Sequence, residues 1–351
     1  MSNITLMEQE ARQTPEVVQH QWKENQSLIE QFAKTINDHP PLFVMTIARG
    51  SSDHAATFAK YLFETCLGIP VVSAAPSVLT LYGSKLKLNN ALAIGISQSG
   101  KSPDLCEMMQ MAKDAGAITL ALVNEAQSPL AGIADHYLPL HAGAEQSVAA
   151  TKSYIASLSV LIQLVAHLSR DKALISAGHQ LPDSLHAALE QDWSSAIDCY
   201  QSVDDTLVIG RGYGFPIAQE SALKFKETLS MHAEAFSGAE VIHGPLAIVK
   251  PKYPVLMFTQ EDVSLESLLD LSVRLQKIGA NVLLALPENL SKHEKIIDLD
   301  VKMLTLPHSL HPICDPLLAI QAFYPMVAKL AVARGFNPDK PQHLQKVTET
   351  R

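Results

Sequence analysis

Three strand-like segments recur in the same order along the 351 residues of this sequence. The segments 41–52, 91–98 and 115–123 resemble 205–214, 253–260 and 278–287, in that order. Gly50 aligns with Gly212 and Ser97 with Thr259, which sets the offset at 162 residues, and the third pair is offset by 163. This period is far longer than a solenoid repeat, so the sequence predicts two copies of one domain.

Within each copy, short apolar runs alternate with helical patterns. This alternation predicts an α/β fold in which a parallel sheet is flanked by helices on both faces. Helical patterns also cover the N-terminus to about Asn37 and the connection 172–201, while the apolar run 154–168 predicts a buried helix too short and too polar to span a bilayer. We predict N-terminal helices at 1–38, domains at 39–188 and 189–335, and a polar tail at 336–351.

Charge, cysteine content and motif spacing indicate which partners, cellular location and cofactors to expect. The formal net charge is −9, so the chain lacks the basic field that nucleic acids and anionic membranes require, and we expect neither as a partner. The four cysteines are far apart and the N-terminus lacks signal-peptide features, so we expect a reduced, cytoplasmic protein. No H-E-x-x-H or similar spacing is present, so we expect no metal and no cofactor.

The stretch 95–102, GISQSGKS, matches the P-loop pattern G-x-x-x-x-G-K-[ST]. A P-loop NTPase also needs a magnesium-binding Asp at the end of another strand, but the predicted strands end in Arg-Gly, Asn or Thr-Gln. Hydroxyl and amide side chains directly before a helix that starts at Pro103 would instead form a general anion site. A serine-rich helix cap without a ligand is the plainer alternative.

The stretch ESALKFKE places Glu220, Lys224 and Glu227 on one face of a predicted helix. Spacing alone favours a solvated ladder of ion pairs, because such pairs are ordinary on exposed helices. Two further candidates, His243 before Gly-Pro and Lys346 in the polar tail, would each be read as a structural or solvated residue without other context.

Taken together, these segments resemble the sugar-isomerase (SIS) domain family. SQSG (97–100), ARGSS (48–52), SVAATKSY (147–154), ESALKFKE (220–227), HAEAF (232–236) and HGPLA (243–247) resemble the two tandem SIS domains in the isomerase half of glucosamine-6-phosphate synthase. The resemblance implies a flavodoxin-like, three-layer fold for each domain. It also implies a phosphosugar site, whose residues here would be Gly50, Ser52, Ser97, Gln98, Ser99, Ser102, Val148, Ala149 and Glu220.

The resemblance assigns catalytic roles as well. Glu227 would move a proton between C1 and C2 of the open-chain sugar, with Lys224 assisting. His243 would open the sugar ring from across a subunit interface, which implies a homodimer with shared active sites. Lys346 would contact the ring and could form a Schiff base with the ketose carbonyl, in a tail that closes over the substrate.

Two departures from the family leave the identity of the sugar open. Lys101 and Ser102 stand where the synthase loop carries an acidic residue and Thr, and Ala150 stands where it carries a hydroxyl. The synthase also begins with a glutamine amidotransferase domain, whereas this sequence has only a helical lead-in, so we expect it to work with free ammonia.

The sequence therefore predicts a glucosamine-6-phosphate deaminase that yields fructose 6-phosphate and ammonium. A galactosamine-6-phosphate deaminase, a fructosamine-6-phosphate deglycase and a non-catalytic phosphosugar sensor remain alternatives.

Overall fold

The computed structural model describes residues 4–346, in which ten strands form two parallel sheets of five strands each. The first sheet comprises β1 (Phe43–Ile47), β2 (Val71–Ser73), β3 (Ala91–Ser97), β4 (Ile118–Val123) and β5 (His136–Pro139). The second comprises β6 (Asp205–Gly210), β7 (His232–Ser237), β8 (Pro254–Phe258), β9 (Asn281–Pro287) and β10 (Lys302–Leu306).

The two sheets share one strand order, which confirms the predicted duplication. The first runs β2-β1-β3-β4-β5 and the second, read from its other edge, runs β7-β6-β8-β9-β10. This is the flavodoxin-like order of an open α/β sheet. Gly50 and Gly212, the aligned glycines after β1 and β6, also share a left-handed backbone, with φ of 56° and 58°. The predicted α/β fold is therefore confirmed in both copies.

Helices connect the strands and cover the sheets. In chain order they are α1 (Leu6–Arg12), α2 (Thr14–Glu24), α3 (Gln26–Asp38), α4 (Ser51–Leu67), α5 (Ser77–Thr80), α6 (Pro103–Asp114), α7 (Pro129–Ile133), α8 (Lys152–Ser169), α9 (Lys172–Leu189), α10 (Ser194–Tyr200), α11 (Phe215–Leu229), α12 (Gly238–Val241), α13 (Leu265–Ile278), α14 (Glu294–Ile297) and α15 (Asp315–Ala333). The helices predicted at the N-terminus, at 154–168 and between the two copies are all present.

The described residues divide into two compact units. The first-sheet unit contains residues 16–145, 152–179 and 345–346, and the second-sheet unit contains residues 4–15, 146–151 and 180–344. Helix α1 and the short segment 146–151 thus belong with the second sheet. The predicted division into segments 1–38, 39–188, 189–335 and 336–351 stays a prediction.

The most apolar helices are core elements. Helix α8 is buried on nearly all sides, from Lys152 to Ala166, as expected of a helix that is apolar all round. Helix α15 has the length and hydropathy of a membrane span, but 83% of that span is buried inside the protein. It packs against α1, α10 and α11 in the second-sheet unit, so its apolar character is accounted for by burial.

Candidate functional site

The predicted phosphate loop lies between β3 and α6 in the first-sheet unit. Strand β3 ends at Ser97 and α6 begins at Pro103, as the sequence predicts. The Gly100 N–H donates to Ser97 Oγ at 3.0 Å, and the Gly100 φ of 61° turns the chain. Ser102 is the N-cap residue of α6, and like Gln98 and Ser99 it is partly exposed. The loop therefore presents side chains and the start of a helix to an anion.

A second helix start lies beside this loop. Strand β1 pairs with β3 in parallel, with Ile47 opposite Gly95, and it leads through Gly50 into α4, where Ser52 is in the first turn. The chain leaves β1 towards β2 on one side and leaves β3 towards β4 on the other. Such a switch point in the strand order is where open α/β sheets bind ligands. The fold thus brings Gly50 and Ser52 to the same sheet edge as residues 97–102.

An ion pair missed by the sequence analysis joins these two segments. The Arg49 guanidinium donates from Nε and Nη2 to Asp104 Oδ2, at 3.1 and 3.0 Å. Asp104 is buried in the first turn of α6, whereas Arg49 is half exposed. Arg49 therefore offsets a carboxylate charge that would otherwise oppose an anion at this helix start.

The equivalent loop of the second sheet is chemically different. It carries Gln260, Glu261 and Asp262 where the first copy carries Gln98, Ser99 and Gly100. The buried Gln260 side chain donates from Nε2 to the Arg211 carbonyl at 2.7 Å. The carboxylates of Glu261 and Asp262 disfavour an anion, so the loop of the first copy is the better candidate for an anion site.

The acid–base group predicted from ESALKFKE lies on α11. The Lys224 ammonium is 3.3 Å from Glu220 Oε1 and donates a hydrogen bond to Glu227 Oε2, while the Tyr324 hydroxyl donates to Glu220 Oε1 at 3.2 Å. The Lys224 and Glu220 side chains are fully buried and Glu227 is 18% exposed. The group is therefore not a solvated ladder of ion pairs.

Burial and charge oppose each other at Lys224. Burial lowers the pKa of the Lys224 ammonium, but the carboxylates of Glu220 and Glu227 together outweigh burial, so the pKa lies above its ordinary value. Lys224 is therefore a cation at neutral pH. Glu227 is the member of the group that reaches solvent, which leaves its carboxylate available for proton transfer.

His243 lies just after α12 and is exposed on the second-sheet unit. Its backbone N–H donates to the Glu240 carbonyl at 3.0 Å, and Ile242 and Ile248 beside it are each about half exposed. Within the described part of the chain, no hydrogen bond or ion pair joins His243 to the α11 group. The structure thus places His243 on an apolar surface segment.

Lys346 is anchored by a residue that the sequence analysis missed. Its ammonium lies 2.7 Å from Glu145 Oε2, and the Glu145 side chain is fully buried. Glu145 also accepts hydrogen bonds from the Ser153 N–H at 3.1 Å and the Ser153 hydroxyl at 2.7 Å. This pair fixes Lys346 near the start of α8, within the first-sheet unit.

The predicted site residues are thus divided between the two units. The phosphate loop, Gly50, Ser52 and Lys346 belong to the first-sheet unit. The α11 group, His243, Val148 and Ala149 belong to the second-sheet unit, where Val148 is partly exposed and Ala149 is buried. Among residues 4–346, no three His, Cys, Asp or Glu side chains are grouped as a metal site would need.

Comparisons with known proteins agree with this architecture. The SIS domain family matches residues 43–167 and 201–330, a region that contains the loop 97–102 and the α11 group. The isomerizing glutamine–fructose-6-phosphate aminotransferase of Methanothermobacter thermautotrophicus is 34% identical over 307 residues, which cover 86% of this chain and 50% of that protein. The chain therefore spans about half the length of the curated relatives it matches.

Solved structures match almost the whole chain. A "putative phosphosugar isomerase" from Silicibacter pomeroyi DSS-3 is 38% identical with a TM-score of 0.89, covering 96% of this chain and 100% of that one. The C-terminal domain of glucosamine-fructose-6-phosphate aminotransferase from Francisella tularensis has a TM-score of 0.88 at 23% identity, with coverage of 97% and 99%, and shares the fold. The chain belongs to the SIS domain family, with two SIS domains in tandem and phosphosugar isomerases among its relatives.

Proposed function

We propose that this chain is an amino-sugar phosphate deaminase and isomerase that converts glucosamine 6-phosphate and water into fructose 6-phosphate and ammonium. The observation that carries the proposal is the buried Glu220–Lys224–Glu227 group, in which only Glu227 reaches solvent. Two observations support the choice of substrate. The Methanothermobacter relative is named for a reaction of fructose 6-phosphate, and the loop 97–102 is a candidate anion site that suits a phosphate.

The reaction would use these residues in sequence. The loop 97–102, with Gly50 and Ser52, holds the phosphate. His243 opens the ring. Glu227 takes the proton from C2 and returns it to C1, while O1 gains a proton and the C2 amine loses one, which converts the amino aldose into a 2-imino sugar. In the direct route, water adds to C2 and ammonia leaves. In the second route, the Lys346 amine displaces ammonia to form an imine at C2, and water then releases fructose 6-phosphate from that imine. Positioned acid–base groups contribute about 10²–10⁴-fold to such proton transfers.

Lys224 would act through Glu227. Its buried ammonium donates a hydrogen bond to the Glu227 carboxylate and so would hold that carboxylate in place. The resemblance assigns Val148 and Ala149 to the sugar, and the loop that carries them lies in the same unit as Glu227.

We also propose a homodimer in which His243 serves the partner's site. The exposed Ile242 and Ile248 beside His243 form an apolar surface that a second copy could cover. A His243→Ala chain and a Glu227→Gln chain should each lose most of the activity, and co-assembly should restore part of it. Failure of the mixture to recover activity would argue against shared sites.

The cysteines are far apart in the sequence, which suits a protein of a reducing compartment, and we propose a cytoplasmic location.

Glu227→Gln tests the assigned base. Gln keeps the size of the side chain and an acceptor for Lys224 but cannot take the C2 proton. We expect kcat for ammonium release to fall by about 10²–10⁴-fold with little change in substrate binding. Glu294→Gln, an identical change at an exposed residue of α14 in the same unit, is the control. A near-normal kcat for Glu227→Gln would show that Glu227 is not the base.

A further inference from the structure

The segment 146–151 lacks regular secondary structure, yet its backbone is held at three consecutive residues. It carries Val148 and Ala149, which the proposed function assigns to the sugar, and it ends where α8 begins at Lys152. The backbone N–H groups of Gln146, Ser147 and Val148 all donate hydrogen bonds to other parts of the second-sheet unit. We call this segment the sugar loop.

Glu10 of α1 supplies most of these contacts. Its Oε1 accepts from the Gln146 N–H, and its Oε2 accepts from the Ser147 N–H at 3.2 Å. The Ser147 hydroxyl lies 2.6 Å from the same Oε2. Glu10 and Ser147 are both buried, so a single carboxylate satisfies several donors of the sugar loop away from water.

Asp339 ties the same loop to the C-terminal segment. Its backbone carbonyl accepts from the Val148 N–H at 3.2 Å. Its carboxylate accepts from the Leu6 and Met7 N–H groups, at 3.0 and 2.8 Å, and so caps the start of α1. Helix α1, the sugar loop and the segment around Asp339 therefore form one hydrogen-bonded cluster.

Within this cluster, α1 is held by contacts with the core, and the sugar loop is held by its hydrogen bonds to α1. Helix α1 is fixed independently, because Met7 and Ala11 are fully buried and the Gln321 amide on α15 donates to the Ala11 carbonyl at 2.8 Å. The sugar loop has no helix or strand of its own to fix its backbone. Loss of the Glu10 charge should therefore loosen the loop before it displaces α1.

We infer that Glu10 is a positioning residue that sets the geometry of the sugar loop. The inference rests on the proposed function for the loop's role in binding, and on the contacts alone for its rigidity. Helix α1 lies outside the matched SIS regions, so Glu10 would be a contribution to the site from beyond the SIS domains themselves.

Glu10→Gln tests this inference, with Glu8→Gln as the matched control. Gln presents an amide N–H₂ where the loop offers its own donors. Glu8 is equally buried on the same helix, but its carboxylate accepts from Arg12 rather than from the sugar loop. We expect Glu10→Gln to speed amide hydrogen exchange in a peptide covering 146–148 by at least about tenfold, and Glu8→Gln to leave it unchanged.

Kinetics provide the second readout. Small displacements of binding groups can cost about 10²-fold, so we expect kcat/KM for glucosamine 6-phosphate to fall by about 10- to 100-fold in Glu10→Gln, mostly through KM. Ser147→Ala removes one contact and should give a smaller loss, and it replaces Glu10→Gln if that variant fails to fold.

The outcomes separate the two proposals. If the unmodified chain releases no ammonium, the proposed function fails, while the exchange experiment still decides whether Glu10 holds the loop. If the chain is active and Glu10→Gln matches Glu8→Gln in kcat/KM, Glu10 is not a positioning residue, whatever the exchange rates. Equal exchange rates in the two variants would likewise overturn the inference.

Discussion

The buried ammonium of Lys224 should be a large contributor to the stability of the second-sheet unit, and Lys224→Met tests this. The substitution fills a similar volume but leaves the buried Glu220 carboxylate without its cation. At 3.3 Å and an effective dielectric constant near 20, the attraction between Lys224 and Glu220 is about 5 kcal/mol before the cost of burial is subtracted. Removing one partner of a buried pair typically costs about 3–5 kcal/mol, which is the loss we expect.

The pH of the measurement follows from the raised pKa of Lys224. Because this pKa lies above its ordinary value, the stabilisation is fully present below that ordinary value and is lost only as the pH rises through the raised one. The comparison therefore belongs at pH 7, where Lys224 is charged in both the folded and the unfolded chain.

The assay is urea unfolding followed by tryptophan fluorescence. The chain has two tryptophans, Trp22 in the first-sheet unit and Trp193 in the second, so Trp193 reports the second-sheet unit in a Trp22→Phe background. Lys226→Met, at an exposed lysine of the same helix, should change the free energy of unfolding by no more than about 0.5 kcal/mol. A Lys224→Met loss within about 1 kcal/mol of this control would refute the argument from the buried charge.

Two further predictions concern Gly100 in the loop 97–102 and the buried carboxyl group of Asp315. Gly100→Ala should raise KM for the phosphosugar, because a Cβ there would lie 2.3 Å from Ser128 Oγ. Gly143→Ala, with a similar positive φ but open space, controls for backbone strain, and equal KM values would contradict the prediction. Burial raises the pKa of Asp315 to about 6, so its contribution to stability is full below its ordinary pKa of 3.8 and is lost as the pH rises through 6. Asp315→Asn should therefore stabilise the second-sheet unit by up to about 3 kcal/mol at pH 8 and by much less at pH 4, and no pH dependence in this difference would contradict the burial argument.

The fold was predictable because its signals are local and occur twice. The three strand segments found in each copy are short apolar runs that end at a glycine or a polar turn, and they recur at offsets of 162 or 163 residues, as Gly50 and Gly212 show. The loop 97–102 was found for the same reason, since it joins an apolar run to a helix start marked by Pro103. These features depend on neighbouring residues and need no knowledge of tertiary contacts.

The contacts that organise the site were not predictable in this way. Glu10 and Ser147 are 137 residues apart, Glu145 and Lys346 are 201 apart, and no spacing links the members of either pair. Spacing placed Glu220, Lys224 and Glu227 on one helix face but could not say whether that face is buried. Burial was decided by α15, whose Tyr324 packs against α11.

The proposed reaction is tested by measuring ammonium release from glucosamine 6-phosphate, coupled to glutamate dehydrogenase, with galactosamine 6-phosphate assayed in parallel. We predict release of ammonium from the glucosamine sugar, with an equal amount of fructose 6-phosphate. Release from the galactosamine sugar alone would contradict the proposed substrate, and release from neither would contradict the proposed reaction.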